Sequence, residues 1–249
     1  MSSGNMFGGT DDAVRSLFNA RYSVESWHPI TLRPFALSTS RHDAVARLLL
    51  GERGRLLDVG CGSGQLVLAL ADHFDELTGV DASDLRLERA HKALVQHYQQ
   101  HLGKVRFIAT RADREIPLRD ASVDVVVCSA VLEFVADIFT AADEIARVCR
   151  PGGCVIVSVS NVCFIRNVLA MLGGHVPLTA SSSRDISYWR RHGWNGDALR
   201  YFSKETLGDL LESVGLKPEA WAGSGRWAKL RSWRRNFCGD LIVRARKTG

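Results

Sequence analysis

The sequence predicts an open α/β sheet wound on both faces, and three observations predict it. First, the apolar run Leu56-Leu57-Asp58-Val59 breaks into the alternating glycines Gly60, Gly62 and Gly64 and resumes as Leu66-Val67-Leu68-Ala69-Leu70. That is the pattern of a buried strand, a tight turn and a helix. Second, the short run Glu76-Leu77-Thr78-Gly79-Val80 ends on the acid Asp81, 21 residues beyond Gly60. The spacing is close to the roughly 20-residue offset at which a carboxylate ending the second strand of a nucleotide-binding unit reaches ribose hydroxyls. Third, strand-like and helix-like stretches keep alternating as far as Val159, as a parallel sheet with crossover helices requires.

Glycine suits the first turn because it reaches positive φ without cost and, lacking Cβ, lets a ligand lie against the backbone. The spacing then separates ligands. A dinucleotide fingerprint places glycines at the first, third and sixth positions, but the sixth residue counted from Gly60 is Gln65. Asp58 beside the turn would repel a pyrophosphate and suits a cation such as an α-amino group or a sulfonium.

The remaining elements follow in order. From Asp11 to Leu50 the pattern is helical in pieces, with Pro29 and Pro34 interrupting, and Ser40 with Asp43 reads as a cap before Ala44 to Leu50. Phe18, Tyr22 and Trp27 precede that helix; packing of an N-terminal helix on the core and a lid over a ligand both fit. A helix is expected from Ser83 to Gln100, capped by Ser83 or Asp84, which leaves Asp81 free for a ligand. The third strand, Val105 to Ala109, runs into Arg111-Ala112-Asp113, where a carboxylate can accept from an adenine amino group; a solvated loop is the alternative.

A fourth strand, Val123 to Cys128, ends at Ser129 to Phe134, the crevice end of a doubly wound sheet. Within it Glu133 reads either as a first-turn acid favoured by a helix dipole or as a pocket-lining residue. A helix from Asp143 to Arg150 is expected to stop at Pro151-Gly152-Gly153, before a fifth strand from Cys154 to Val159.

Composition bounds the function. The 249 residues, 46% hydrophobic and 24% charged, are enough for one domain with a sizeable core. With 32 basic against 27 acidic side chains the net charge is +5, which permits an anionic substrate without demanding nucleic acid. The six cysteines, with no C-x-x-C pair and no His/Cys cluster at ligand spacing, read as reduced, buried and structural, with no metal site. The polar, glycine-rich stretch from Met1 to Thr10 has no apolar signal core, and Val155 to Leu172 is interrupted by polar residues. A cytoplasmic chain without a membrane span is therefore expected.

Taken together, Leu57 to Gly64, Gly79-Val80-Asp81, Ala112-Asp113, Asp120 to Val135, and Glu144 to Val148 with Arg150 to Gly153 resemble the class I S-adenosylmethionine-dependent methyltransferases, from about Arg53 to Asn161. The resemblance implies a mostly parallel, seven-stranded sheet with an antiparallel last strand and the cofactor over the carboxyl ends of the first strands. It implies that Asp58, Gly60, Cys61, Gly62 and Gly64 hold the methionine part, Asp81 and the adjoining Ala82 the ribose, Ala112 and Asp113 the adenine, and that Ser129 faces the sulfonium. Phe134 stands where relatives often have histidine.

One domain is expected: an N-terminal helical cap (1–52), a cofactor-binding core (53–160), a substrate cap (161–205) and a C-terminal helix with strands (206–249). The helix after Ser203 stops at Gly215, and strands follow at Lys217 to Ala222 and Asp240 to Ala245. About forty residues separate the fifth strand from that helix, too many for an ordinary connection. His192, His175 and Tyr201 are the candidate catalytic side chains.

The basic, aromatic stretches Tyr188 to Trp194 and Arg226 to Phe237 suit an anionic or lipid-linked substrate, and the second reads first as a solvated loop between the last two strands. The expected activity is methyl transfer to oxygen, nitrogen or carbon of a small-molecule, glycan or lipid-linked acceptor by in-line displacement. Gly173 to Thr179 also resembles the MetW proteins, which keeps a partner or regulatory protein as the alternative. An RNA methyltransferase is the weaker one.

Overall fold

The computed structural model describes residues 12, 15, 16, 18–20, 22–36, 40–175, 177, 198–225 and 238–249. Two of its strands read as almost uninterrupted apolar sequence, β1 (Arg55–Val59) and β4 (Val123–Ser129), and these lie side by side at the centre of the sheet. A strand covered on both faces needs apolar side chains at successive positions rather than alternate ones. Leu56 and Val125 point into one apolar layer with Val45, Val67, Leu94 and Ile156, while Leu57 and Val126 point into the other with Ile145, Leu207 and Val243.

Around them the sheet has seven strands in the order β3-β2-β1-β4-β5-β7-β6, with β2 (Glu76–Asp81), β3 (Val105–Ala109), β5 (Cys149–Ser160), β6 (Leu216–Gly223) and β7 (Asp240–Lys247). The first five pair in parallel, and β7 runs antiparallel to both β5 and β6. The order reverses between β1 and β4, the point at which open α/β sheets bind ligands beyond their carboxyl ends.

Helix α1 (Arg41–Leu48) precedes β1, and Ser40 with Asp43 forms the expected capping box. It starts three residues before Ala44. Helix α2 (Gln65–Ala69) follows the glycine turn, and α3 (Asp84–His97) is capped by the Ser83 hydroxyl, which accepts the Arg86 N–H at 3.3 Å. It ends at His97 rather than at Gln100, and a 3-10 turn, Gln99–His101, carries the chain toward β3.

Helix α4 (Ile138–Val148) begins five residues earlier than its apolar core suggests, because Asp137 accepts the Phe139 and Thr140 N–H groups at 3.1 Å each. It also ends earlier, at Val148. Cys149 already pairs with Val123, so Pro151-Gly152-Gly153 lies within β5 and produces a shift of register before Cys154, where a helix stop was expected. Helices α5 (Ile165–Leu172) and α6 (Lys204–Ser213) complete the chain, the second opening on a Ser203–Thr206 capping box as its sequence predicts. Strands β6 and β7 run slightly longer than expected at both ends or at their carboxyl end.

Residues 110–122, between β3 and β4, contain no helix. Arg147 on α4 holds this connection. Its guanidinium donates to the carbonyls of Ile116 (2.8 Å) and Leu118 (2.9 Å), and to Asp120 Oδ1 (2.6 Å) and both oxygens of Glu144 (2.8 and 2.7 Å). Glu144 in turn accepts the Ile116 N–H at 2.7 Å, and Ile116 is fully buried in the core. Arg147→Met keeps the apolar stem but strands two carbonyls and a part-buried carboxylate. It should lower unfolding free energy by about 2 kcal/mol, the cost of losing charged hydrogen bonds at a partly solvated site, measured as a lower urea midpoint at unchanged slope.

Candidate functional site

Gly60, Gly62 and Gly64 take φ of 73°, 58° and 76°, and each is crowded as well as turned. A Cβ on Gly60 would sit 2.2 Å from Val131 Cγ2, and one on Gly62 would sit 2.2 Å from Arg86 Nη2. Glycine is required here by both backbone and space. The turn is tied to β2 by the Gly60 and Cys61 N–H groups, which donate to the Val80 carbonyl at 2.7 and 2.9 Å.

Asp81 closes the arrangement. Its Oδ2 accepts the Gly62 N–H at 2.8 Å and its Oδ1 the Ser83 N–H at 2.9 Å. The carboxylate thus joins the turn after β1 to the cap of α3. Ala82 lies between these anchors, half-buried.

Asp58 behaves differently. It is buried near the end of β1, and its carboxyl has no hydrogen-bond or ion-pair partner among the described residues. Burial, and then the neighbouring Asp81 charge, push its pKa from 3.8 up to about 8, with Arg86 opposing. A buried carboxyl with no donor is an unfilled acceptor beside a turn shaped for a ligand.

Cys61 packs inward in the apolar layer, and burial and the two aspartates push its thiol well up. Asp113 is buried too, but both of its oxygens accept from Arg111, at 2.8 and 2.7 Å. A solvated loop does not describe it. Ala112 packs half-buried against the opposite core layer, the one that holds Leu57 and Ile116. Ser129, at the end of β4, shares a 2.8 Å hydroxyl contact with Ser158 on β5. The next residue, Ala130, takes φ 57° and donates its N–H to the Ser158 carbonyl at 2.9 Å. That left-handed turn costs roughly 1–2 kcal/mol for a residue with a Cβ, and the pairing with β5 holds it.

The N-terminal segment comes to the same edge. Asn19 Oδ1 accepts the Ser83 hydroxyl at 2.7 Å, and Glu25 accepts Arg86 Nε at 3.0 Å and the Ser63 hydroxyl at 3.3 Å. Arg86 lies 4.1 Å from the Tyr22 ring centroid and 3.7 Å from Asp81. Trp27 instead stacks on His97, with ring centroids 5.3 Å apart. Trp27 therefore packs on α3, as the first of the two readings expects, while Tyr22 and Glu25 lie beside Arg86 and the turn.

The candidate catalytic residues are not gathered with this set. His175 is exposed just beyond α5, and Tyr201 is exposed before α6. His192 lies outside the described residues, as do the basic stretches Tyr188 to Trp194 and Arg226 to Phe237. Sequence reasoning missed Asn19, Glu25, Arg86 and Arg41, because side chains from distant segments carry no local pattern.

A methionine end with an α-ammonium would give Asp58 the donor it lacks, so the residues present fit S-adenosylmethionine. Among the described residues there is no group of three or more metal-ligating side chains and no helix long and apolar enough to cross a membrane.

Comparison with known proteins agrees with the geometry. Residues 57–157 match the family described as a methyltransferase domain. A ubiquinone biosynthesis O-methyltransferase of Alkalilimnicola ehrlichii is 37% identical over 122 residues, covering 49% of this chain and 48% of that protein. A phosphatidylethanolamine N-methyltransferase of Cereibacter sphaeroides is 29% identical over 166 residues, 66% of this chain and 75% of that protein. The chain spans about half the length of the ubiquinone biosynthesis enzymes it matches. Among solved structures, the [4+2]-cyclase SpnF superposes with a TM-score of 0.61 at 21% identity, covering 97% of this chain and 94% of that one. The match shows a shared fold.

The Asp58 proton has a thermodynamic signature. The folded chain keeps it up to about pH 8, whereas the unfolded chain releases it near its ordinary value of about 3.9. Between these values only the folded state holds the proton, so this residue makes the ligand-free protein less stable as pH rises toward 8. Asp58→Asn should flatten that decline, read as a smaller difference in urea midpoint between pH 5.5 and pH 8.5.

Proposed function

The chain carries a class I S-adenosylmethionine-dependent methyltransferase domain, and from that premise we propose that it transfers the methyl group of S-adenosylmethionine to a small-molecule, glycan or lipid-linked acceptor. The observation that carries this reading is the buried, donorless Asp58 beside a glycine turn which Asp81 holds open to a ligand.

Each residue has a part in it. Asp58 takes the ammonium of the methionine end, and the glycine turn lets that end approach the backbone. Asp81 has accepted one N–H on each oxygen and keeps a further lone pair on each for ribose hydroxyls. Asp113, steadied by Arg111, faces the adenine amino group. Tyr22 and Glu25 exclude water by covering the turn. When bound, the sulfonium supplies an activated methyl carbon, and alignment of an acceptor atom, that carbon and the sulfur supplies much of the rate. Relatives named for O- and N-methyl transfer support a small or lipid-linked acceptor. His175, Tyr201 and His192 belong to the acceptor side in this reading, as residues of the cap.

Calorimetry with S-adenosylmethionine and S-adenosylhomocysteine tests it: both should bind, and binding of neither overturns it. Asp81→Ala should weaken S-adenosylhomocysteine at least several-fold while leaving the far-ultraviolet spectrum unchanged. Asp58→Asn should weaken it by roughly tenfold or more, the scale of one charged hydrogen bond. Affinity in the unsubstituted protein should rise with pH up to about 8, because the ammonium needs the ionised carboxylate. Transfer of labelled methyl into a cell extract, followed by identification of the product, then names the acceptor.

A further inference from the structure

At the amino ends of the parallel strands, opposite the candidate cofactor edge, one face of the sheet turns from apolar to polar. Side chains two residues apart share a face of a strand. Leu57, Val80 and Ile108 lie on the face that packs with Ile116. Toward the amino ends the same face carries Arg55 on β1, Thr78 and Glu76 on β2, and Arg106 on β3. Residues 110–122, the connection beside this face, contain no helix. Apolar side chains without a covering helix would stand in water, and polar ones take their place here.

Between these strand ends and the connection lies a cavity of about 250 Å³. Arg55, Glu76, Thr78 and Arg106 line it from the sheet, and Arg119 lines it from the connection, beside Leu118. Three guanidinium groups therefore face one recess that holds a single carboxylate, Glu76. Arg55, Arg106 and Arg119 are exposed, so a ligand from solvent can reach them.

The arginines are held, and their charges are poorly matched by the protein itself. Arg106 Nε donates to Thr78 Oγ1 at 2.8 Å, and Thr78 is 4% exposed. A buried hydroxyl thus fixes that guanidinium, while its two terminal nitrogens have no partner among the described residues. Arg55 Nε lies 3.7 Å from Asp124, which also accepts the Arg55 amide at 2.8 Å and Arg150 at 2.6 Å. Arg119 has no hydrogen-bond or ion-pair partner among the described residues. Its neighbour Asp120 is bonded to Arg147 at 2.6 Å. Glu76 stands opposite Arg55 in the β1–β2 register and forms no ion pair with it.

We propose that this cavity binds a dianionic phosphate group, as the free ion or as the head of a small phosphate monoester. A guanidinium presents parallel N–H donors that match two phosphate oxygens at once. Phosphate carries close to two negative charges near neutral pH, which offsets the excess of arginine over Glu76. A carboxylate ligand brings one charge and two oxygens, too few for three arginines. Drug-sized ligands fill roughly 300–1,000 Å³, so the cavity holds a phosphate with a short organic stem and excludes a whole nucleotide.

This is a second site. Arg55 and Val59 are four residues apart on β1, roughly 13 Å at about 3.3 Å per residue, and Asp58 with the glycine turn lies at the far end. Methyl transfer aligns its acceptor with the methyl carbon and sulfur, so a ligand held at Arg55 is not the acceptor. The proposal stands apart from the methyl-transfer reading. Filling the cavity ties the connection, through Arg119, to β1 and β3, which adds to the hold that Arg147 has on it from α4.

The test uses the full-length chain carrying nitrogen-15 arginine, titrated with sodium phosphate and with phenyl phosphate at constant ionic strength and neutral pH. The Arg106 and Arg119 Nε–H resonances, assigned from Arg106→Gln and Arg119→Gln, should shift and saturate with one dissociation constant. Reading these two side chains separates the cavity from the basic stretches elsewhere in the chain. Arg119→Gln should weaken phosphate read at Arg106 by roughly fivefold, the scale of one exposed ion pair. Glu76→Gln should tighten it, because a repelling charge is removed. Both substitutions fall on exposed side chains, so the fold survives them. Saturation by both probes supports the site: tighter binding of phenyl phosphate identifies an esterified ligand, and equal or weaker binding identifies the free ion. Shifts that grow without saturating, that sodium chloride reproduces, or that appear at one arginine alone overturn the proposal. Weaker phosphate binding in Glu76→Gln, or unchanged binding in Arg119→Gln, overturns it too.

Discussion

The two hydrogen bonds accepted by Asp81 are the constraint on which the candidate cofactor site depends. One carboxylate, 7% exposed, takes an N–H from the turn after β1 and another from the cap of α3. Parallel pairing aligns β1 with β2 residue by residue, and the Gly60 and Cys61 amides hold the turn to the Val80 carbonyl, but neither reaches the cap of α3. By bridging them Asp81 converts two loop ends into one surface. Charge-assisted bonds to backbone N–H groups are among the stronger available to a protein, because an ionised acceptor meets a fixed dipole. The same atoms explain why Gly62 must lie so close to Arg86, which is drawn in by both Asp81 and Glu25.

That surface is deliberately incomplete in its polar pairing. The core on both sides of the sheet is apolar, and two charged clusters away from the site are closely matched: Arg147 donates to two carbonyls and two carboxylates, and Asp124 accepts from Arg150 and from the Arg55 amide. Along the carboxyl edge, Asp58 has no donor and Glu133 has one oxygen without one. Buried polar atoms without partners are uncommon because each costs free energy. The Asp58 carboxyl without a donor, the unpaired Glu133 oxygen and the left-handed Ala130 all lie along this edge, where a ligand can relieve such unfavourable terms.

Much of this was legible before any coordinates. The glycine turn, Asp58 and Asp81 lie within a few residues of strand ends, where their candidate roles follow from local chemistry; Ser83, Ser40 and Ser203 read as caps and are caps. Boundaries failed where a partner decided them. Residues 149–153 look like a helix stop, and they join β5 because Val123 offers Cys149 a ladder. Asp113 reads equally as a solvated acid until Arg111 folds back onto it. Glu133 carried two readings, and neither anticipated an amide from Ser160 and a charge from Arg41, 92 residues upstream.

By itself, then, the sequence determined the fold class and the strand and glycine turn at the candidate ligand edge, because those rest on periodicity and backbone permissiveness. Only the tertiary structure decided which acids are already satisfied. Asp81 and Asp113 hold partners, whereas Asp58 and half of Glu133 do not. The reason is physical: whether a carboxylate is free depends on donors brought to it by other segments, and those distances exist only once the sheet has assembled.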